Sequence, residues 1–265
     1  MDYQSNNLVV PRGSILFNPF VPGTFAGKGF MQLGNCPEFT MSRDVTPLEH
    51  RSSQQGYRNR DKRLIIGDDL SGSLMTDDVK ADNMRLWFMS ASVTTITTSS
   101  ATASTETLQD VLKGRLYQLG VSSVAPTGLR NVTVTSVTST GGSPVTYVNN
   151  TDYTFDAPSG LLTLLLGGSI VEDSDLIVTY NVAASTHTQM LADNKEVEGE
   201  IKFVSNNPFG ENSDIWIPRA TITPNGDLSL LTDPDSPTWQ QIPLTITALK
   251  LGSLALAYRN SFPVA

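Results

Sequence analysis

Cysteine, histidine and charged residues are all scarce in this chain of 265 residues. Cys36 is the single cysteine, which excludes an intrachain disulfide and a zinc site built from the cysteines of one chain. The two histidines, His50 and His187, have no histidine, cysteine or glutamate at the spacing of metal ligands. We therefore expect neither a metal ion nor a cofactor.

Recognisable catalytic motifs are also missing. The chain has no G-x-S-x-G nucleophile elbow and no P-loop. The sequence does not decide whether a catalytic Ser-His-Asp triad is present, because its members can come from any part of a chain. Pairs of acidic residues such as Asp68–Asp69 lack the spacing of an EF-hand loop. These observations predict a structural or assembly protein rather than an enzyme.

Basic residues are too few for a general nucleic-acid-binding protein. Eighteen lysines and arginines stand against 26 acidic residues, so the net charge is −8. The longest apolar run, residues 161–166, is interrupted by Thr163 and is too short to span a bilayer. The first residues lack the basic and apolar regions of a signal peptide. We expect synthesis in a cytoplasm and no membrane partner.

Serine and threonine are abundant, with 27 and 29 copies respectively. Threonine and valine favour extended backbone, and the 20 glycines and 15 prolines supply turns. Long stretches of helix-forming residues at helical spacing are absent. The composition therefore predicts an all-β fold.

The first 42 residues fall into two parts. Residues 1–30 contain many prolines and glycines with interspersed phenylalanines, and they follow no period. They form either a terminus that lies against its own domain or an arm that docks on a neighbouring subunit. Residues 38–42 alternate apolar and polar side chains, which predicts a strand with Phe39 and Met41 facing a core.

A polar connection of 21 residues, 43–63, follows this strand. It has six basic residues but only three acidic ones. Such a length is too great for a simple hairpin turn, so a functional or disordered loop is expected. Leu64, Ile65 and Ile66 then restart an apolar strand.

Residues 75–90 contain the best helix candidate. Thr76 can cap it, and two aspartates lie in its first turn. Residues 91–104 are either a flexible linker or a strand over 93–98. Residues 105–113 are either a short helix that stops at Gly114 or a further strand.

The second half of the chain carries clear strand patterns. Residues 121–185 show four apolar or alternating runs separated by glycine-containing turns, which predicts a meander or small sandwich. Residues 196–204 alternate strictly between glutamates and apolar residues. Trp87, Trp216 and Trp239 lie among apolar neighbours, so we expect them in a core.

Seven short segments, in a fixed order, point to a known family. They are LGNCPEFTMS (33–42), LEHRSSQQG (48–56), KR (62–63), EGEIKF (198–203), NPFG (207–210), IPRA (217–220) and PNGD (224–227). In their order and residue types, these segments resemble segments of the tail tube (major tail) proteins of long-tailed bacteriophages with non-contractile tails. The resemblance covers about residues 31–120 and 191–250. Residues 150–156 look like part of a module found in many phage virion proteins.

The resemblance implies an all-β sandwich or barrel-like tail-tube fold with a flanking short α-helix, a long extended loop and an inserted small β unit. Residues 1–30 would be an N-terminal arm, and residues 31–120 and 186–265 would form the tail tube domain. Residues 121–185 would be the insertion, on the outer face, because an insertion in the lumen would block DNA. The helix at 76–89 would be the flanking helix.

The same resemblance implies a function in the virion tail. Tail tube subunits form rings, usually hexameric, that stack into a hollow tube, and the tube conducts DNA from the capsid to the host cell. The implied partners are further copies of the chain and the tape-measure, tail-tip and tail-terminator proteins. Phage genomic DNA would pass through the lumen without specific binding. Synthesis would take place in the host bacterial cytoplasm.

Two sets of residues are candidate sites. The loop would reach the adjacent ring and pair with its acidic residues, or it would be solvated and mobile in the free monomer. Three glutamates would line the lumen, where negative charge lets DNA slide, or they would form an ordinary solvated strand face. The loop residues are His50, Arg51, Arg58, Arg60, Lys62 and Arg63; the lumen residues are Glu196, Glu198 and Glu200.

Two other functions stay open. The chain could be another virion β protein, such as a decoration or fibre-attachment subunit, which needs neither a ring nor a lumen. It could also be a carbohydrate-binding or hydrolytic β-sandwich, which needs aromatic platforms and a carboxylate pair in a cleft. The three tryptophans are few for that purpose.

Overall fold

In a computed structural model of the protein, residues 8–54 and 56–262 are described. Over these residues the chain forms antiparallel sheets and one short α-helix, so the predicted all-β fold class is confirmed. The chain divides into two compact units. One contains the described residues of Met1–Val93 and Met190–Ala265, and the other is Thr94–Gln189.

The strands range from two to seventeen residues in length. In chain order the elements are β1 (Gly13–Pro19), β2 (Met31–Gln32), β3 (Glu38–Arg51), β4 (Arg60–Thr76), α1 (Ala81–Trp87), β5 (Val93–Thr98), β6 (Ala101–Val111), β7 (Leu116–Gln118), β8 (Val132–Ser139), β9 (Thr146–Tyr147), β10 (Tyr153–Asp156), β11 (Leu161–Leu164), β12 (Ser174–Val182), β13 (Ser185–Met190), β14 (Val197–Ser205), β15 (Asn212–Pro224), β16 (Ile242–Ala248) and β17 (Tyr258–Phe262).

The first unit is built on one eight-stranded antiparallel sheet. Its strands lie in the order β2–β1–β14–β15–β16–β4–β3, and β17 pairs with another part of β15. The alternation predicted over residues 38–42 is confirmed, because Phe39 and Met41 pack against the core. The alternation over residues 196–204 is also confirmed in β14, which buries Ile201.

One face of this sheet carries the core of the first unit. Phe17, Ile222 and Leu244 are fully buried there, and α1 adds the fully buried Leu86. Each such side chain contributes about 1.5–3 kcal/mol by leaving water. The helix therefore belongs to the core and covers part of the apolar face of the sheet.

The helix predicted for residues 75–90 is shorter than expected, and Thr76 does not cap it. Thr76 ends β4 opposite Ile242 of β16. Its hydroxyl donates to the Leu33 carbonyl at 2.8 Å and accepts from the Asp78 amide at 3.2 Å. Residues 75 and 76, which the prediction placed at the start of the helix, belong instead to β4 and pair with β16.

The prediction of a loop over residues 43–63 is wrong, because these residues form most of a long β-hairpin. Strands β3 and β4 pair from Glu38↔Met75 to Arg51↔Arg60, with two register shifts. Both faces of its outer part are exposed to solvent. Neither face packs against a core, so the sequence there lacks the apolar alternation that marks a half-buried strand.

The N-terminal segment is part of the sheet rather than a separate arm. Strand β1 pairs with β14 over seven residues and with β2 on its other side. Phe17 on β1 is completely buried. Residues 1–7 of the expected arm lie outside the described residues.

The second unit is a small β-sandwich. One sheet has the strand order β6–β12–β8–β9, and the other has the order β10–β11–β7. Both sheets supply one buried core, to which the first contributes Val178 and Tyr180 and the second contributes Tyr153 and Leu162. Strands β5 and β13 pair with each other where the chain enters and leaves this unit.

The structure shows the secondary structure of the two segments for which the sequence allowed alternatives. Residues 93–98 form β5, and residues 105–113 lie mainly in β6. Both belong to the second unit, which spans Thr94–Gln189 and is longer than the predicted insertion of residues 121–185. Strand β6 extends it, because β6 pairs with β12 from Val111↔Ser174 to Ala101↔Val182.

Candidate functional surfaces

The β3–β4 hairpin extends beyond the sheet as a two-stranded ribbon. Strand β16 pairs with β4 only from Ser71 to Thr76. Within the described part of the chain, residues 43–51 and 60–70 pair only with each other across the hairpin. We call these two segments and the turn between them the projecting ribbon. A two-stranded hairpin with both faces in water is marginally stable by itself, so further contacts would stabilise it.

Part of the predicted basic loop is paired with acidic residues within the ribbon. His50 lies on β3 with its Nδ1 2.6 Å from Asp61, and Arg60 on β4 contacts Glu49 at 3.0 Å. Arg51 is 3.7 Å from the same glutamate. These pairs are exposed, so each contributes at most about 1 kcal/mol.

A further ion pair closes the base of the ribbon. The Arg43 guanidinium donates two hydrogen bonds of 2.7 Å to the Asp68 carboxylate, which holds the pKa of Asp68 below its ordinary value. Arg58, Lys62 and Arg63 make no ion pair within the described residues. These three are the members of the predicted set whose charge remains available to a partner.

The ribbon also exposes large apolar side chains. The sequence indicated a strand at residues 64–66 but not the exposure of its side chains. Leu64, Ile65 and Ile66 are 61%, 58% and 60% exposed, and Leu48, which pairs with Leu64, is 58% exposed. Tyr57 in the turn is 69% exposed. Contiguous apolar groups on a solvated ribbon are typical of a surface that another chain covers.

Two of the three predicted lumen glutamates are held by neighbouring side chains. The Glu198 carboxylate accepts hydrogen bonds from Arg219 at 2.9 and 3.1 Å. Glu200 accepts from Trp216 Nε1 at 2.9 Å and from Asn18 at 2.5 Å. Glu196 precedes β14 and is exposed. The structure therefore brings Glu198 and Glu200 onto one sheet face, with part of their charge compensated.

Next to these glutamates lies a surface of hydroxyl side chains that sequence reasoning missed. Two transverse rows cross β15, β16, β4 and β3 through paired positions. All eight members are serine or threonine, and Glu198 is paired with the first member of one row. The rows are Thr221–Thr247–Ser71–Ser42 and Thr223–Thr245–Ser73–Thr40. The signal in the sequence was the repeated Thr and Ser at alternate positions of separate strands.

These hydroxyl rows occupy the sheet face opposite the core. Their strand neighbours Ile222, Leu244 and Ile246 are buried on the other face, as the two-residue period of a strand requires. Ser42, Ser71 and Thr247 are exposed. Thr221, at the end of one row, is buried, and the other seven residues form a neutral, hydrogen-bonding surface with no lysine or arginine in the two rows.

The tryptophans do not share one environment. Trp87 packs against the core of the first unit, and Trp216 donates to Glu200. Trp239, which was expected in a core, is 89% exposed. The expectation for Trp239 is wrong because the residue lies in a connection between strands, where apolar neighbours in sequence do not form a core.

Metal-binding and nucleophilic groups are sparse in the described residues. No group of three or more His, Cys, Asp or Glu among residues 8–54 and 56–262 is placed to hold a metal ion. Burial raises the pKa of the Cys36 thiol to about 11, which keeps it protonated and unreactive at neutral pH. Among the described residues, no helix has the length and apolar character needed to cross a membrane.

The model of a family described as "Protein of unknown function UCP028589" matches residues 12–251, which is most of the chain and includes all of the second unit and most of the first. No curated protein matches the sequence. The match therefore places the ribbon, the glutamates and the hydroxyl rows inside the region that defines this family.

Proposed function

The chain belongs to this family of unknown function, and we propose that it is a structural virion protein of a long-tailed phage with a non-contractile tail. Copies of the chain would assemble into rings, with six subunits expected from the resemblance, and the rings would stack into a hollow tail tube. DNA would pass through this tube to the host, and the tape-measure, tail-tip and terminator proteins would be its partners in the tail.

The projecting ribbon is the observation that carries this proposal. It places exposed apolar side chains and the basic residues Arg58, Lys62 and Arg63 on an element that leaves its own sheet. A projecting element that contacts a different surface on the next copy makes a heterologous contact. Such contacts do not close on themselves along an axis, so they build a stack.

The hydroxyl rows and the adjacent glutamates support a DNA-conducting lumen. A surface that conducts DNA has to avoid the phosphate contacts that lysine and arginine make. The two rows contain only serine and threonine, and Glu198, which shares its charge with Arg219, lies at the end of one row. We assign this face of the sheet to the lumen.

A decoration or fibre-attachment subunit is the second candidate. It is favoured by the second unit, a sandwich with its own buried core that interrupts the first unit. In that function the sandwich would bind a partner on the virion surface, and the protein would need neither rings nor a lumen.

Negative-stain electron microscopy over a concentration series, with light scattering on the same samples, distinguishes these two functions. Tubes or stacked rings with a central hole support the tail tube, and they give the ring symmetry. Globular particles at every concentration, and an absence of the chain from the tail shaft of virions after immunogold labelling, would contradict it.

A ribbon-shortened variant tests the stacking contact. Val45 and Asp68 face each other across the ribbon, so residues 46–67 can be replaced by Asn-Gly, which closes a two-residue hairpin. The core is untouched, so we expect a folded subunit that forms single rings but no tubes in micrographs. A matched variant, Leu64→Ser with Ile66→Ser, keeps the ribbon backbone and should also form single rings without tubes. Long tubes from the shortened variant would show that the ribbon does not stack the rings.

A further inference from the structure

The connection between β15 and β16 exposes a second set of apolar side chains. Leu230, Leu231 and Trp239 are 78%, 90% and 89% exposed. The same connection contains Asp227, Asp233 and Asp235, and residues 225–241 have no lysine, arginine or histidine. We call residues 227–240 the acidic arm. Its negative charge and apolar residues define the chemistry of whatever surface covers it.

The acidic arm is folded on itself by hydrogen bonds. Gln240 donates its side-chain amide to the Ser229 carbonyl at 2.7 Å. The Thr238 amide donates to the Thr232 hydroxyl at 3.0 Å. These bonds join the two limbs of the arm near its exposed apolar residues. The arm therefore presents them in a fixed arrangement, which lowers the entropy cost of binding.

A cleft with the opposite chemistry lies elsewhere in the first unit. It has a volume of about 690 Å³ and an apolar wall in which Phe20 and Phe25 meet edge to face at 6.1 Å. Its lining includes four basic residues and only two acidic ones. The basic residues are Lys28, Arg85, Lys195 and Arg219, and the acidic residues are Glu196 and Glu198.

The positive charge of the cleft is only partly compensated. Arg219 is paired with Glu198 and also lies over the Phe25 ring at 4.9 Å. Lys28 and Lys195 are exposed and make no ion pair among the described residues. The cleft therefore combines an aromatic wall with available cations, and it fits an acidic segment that carries a large apolar side chain.

We infer that the acidic arm of one copy inserts into this cleft on a neighbouring copy. No residue of the arm lines the cleft of its own chain, and Trp239 is almost fully exposed. The charges are complementary, and tryptophan is a frequent anchor of protein interfaces. The contact is heterologous, so repetition closes a ring where the rotation permits.

This inference rests on the proposed function only for the location of the contact between arm and cleft, which would lie between subunits of one ring. The ribbon would contact the next ring, whereas the arm and cleft would connect neighbours within a ring. The two contacts use different residues. They can therefore be removed separately.

Two full-length variants test the contact. The arm variant carries Leu231→Ser and Trp239→Ser, and the cleft variant carries Lys28→Glu and Lys195→Glu. All four side chains are exposed, so the subunits should remain folded. Because interface anchors dominate binding, we expect each variant alone to self-associate about 30-fold or more weakly than the wild type in analytical ultracentrifugation.

An equimolar mixture of the two variants gives the decisive result. The intact arm of the cleft variant can enter the intact cleft of the arm variant, but no further contact between arm and cleft is possible. With Leu64→Ser and Ile66→Ser added to both variants, so that the ribbon contact is also removed, a heterodimer that does not grow is expected whatever the wild type assembles into. Variants that assemble as the wild type does, or a mixture that stays monomeric, would overturn the inference.

A ribbon variant separates this inference from the proposed function. Leu64→Ser with Ile66→Ser leaves arm and cleft intact, so single rings should persist while tubes are lost. Heterodimers without any rings or tubes from the wild type would support the arm contact and contradict the tail tube. Tubes from the arm variant would support the tail tube and contradict the arm contact.

Discussion

Single carboxylates stabilise loops in this protein through backbone hydrogen bonds. Asp152 in the second unit is 4% exposed, and its carboxylate accepts from the amides of Val148 and Ser169 at 2.7 Å each. The Ser169 hydroxyl donates a third bond at 2.8 Å. These bonds, chiefly those from Ser169, lower the pKa of Asp152 below its ordinary value. Its ionised form therefore stabilises the folded unit.

This pKa shift predicts a pH-dependent opening of the second unit. A lowered pKa contributes stability above the unfolded value, about 3.9, and the contribution is lost as the pH falls through the folded value. Hydrogen exchange at the Val148 and Ser169 amides should therefore accelerate, after correction for intrinsic rates, below about pH 4.

The variant Asp152→Asn is the control for that measurement. It should exchange faster at neutral pH and lose most of the acid-dependent change. An unchanged pH dependence in the variant would assign the effect to other groups.

Close packing between neighbouring strands is the main constraint at the scale of the element. Gly199 of β14 lies beside β1, and a Cβ at this position would clash with the backbone carbonyl oxygen of Asn18 and come within 2.6 Å of the Phe17 ring. Phe17 is fully buried, so its ring has little room to move. Glycine is required here because of this contact, since no unusual backbone angle is involved.

Gly199→Ala should therefore destabilise the first unit by about 1–3 kcal/mol, the usual cost of overpacking. All three tryptophans lie in the first unit, so tryptophan fluorescence during urea unfolding reports on that unit. Gly56→Ala serves as a matched control, because no described atom lies within 4 Å of the added carbon. Equal effects of the two changes would show that strand packing at Gly199 is looser than described.

Elements with one buried face could be predicted from the sequence, and elements without one could not. The alternation around Phe39 and Ile201 identified β3 and β14 because one face of each contacts the core. The outer half of the β3–β4 hairpin has no core face, so its strands carried no periodic signal and were predicted as a loop. The predicted boundaries of the second unit were wrong for a related reason, since half-buried positions of β6 carry the polar residues Ser104 and Glu106, which give no apolar alternation.

The candidate surfaces were even less predictable, because they depend on register between distant strands. The charges of Glu198 and Glu200 were identified, but their partners Arg219 and Trp216 lie on another strand. The hydroxyl rows join residues that are up to about 200 positions apart in the chain. No local pattern reveals which alternating threonines meet.

The charge of the proposed lumen can be tested on the whole assembly. Ser42→Lys with Ser71→Lys adds two cations to exposed hydroxyl positions without removing a hydrogen-bonded glutamate. We expect tubes to assemble, and DNA ejection from phage that carry the variant to slow, because lysines bind the passing phosphates. The slowing should diminish at higher salt.

Ser253→Lys, an exposed serine elsewhere in the first unit, is the control for added charge. Ejection rates measured by dye release should distinguish the two variants. If all variants eject DNA at the wild-type rate, the hydroxyl face does not line the DNA path.

The pairing of β5 with β13 has a consequence for the gene. Paired strands lie about 4.8 Å apart. The point where the chain leaves the first unit, at β5, is therefore close to the point where it returns, at β13. The codons for residues 94–189 can therefore be exchanged for those of another compact module with adjacent termini, and the flanking codons need no compensating change. Recombination at these two points would give related proteins that share the first unit and differ in the module carried between β5 and β13.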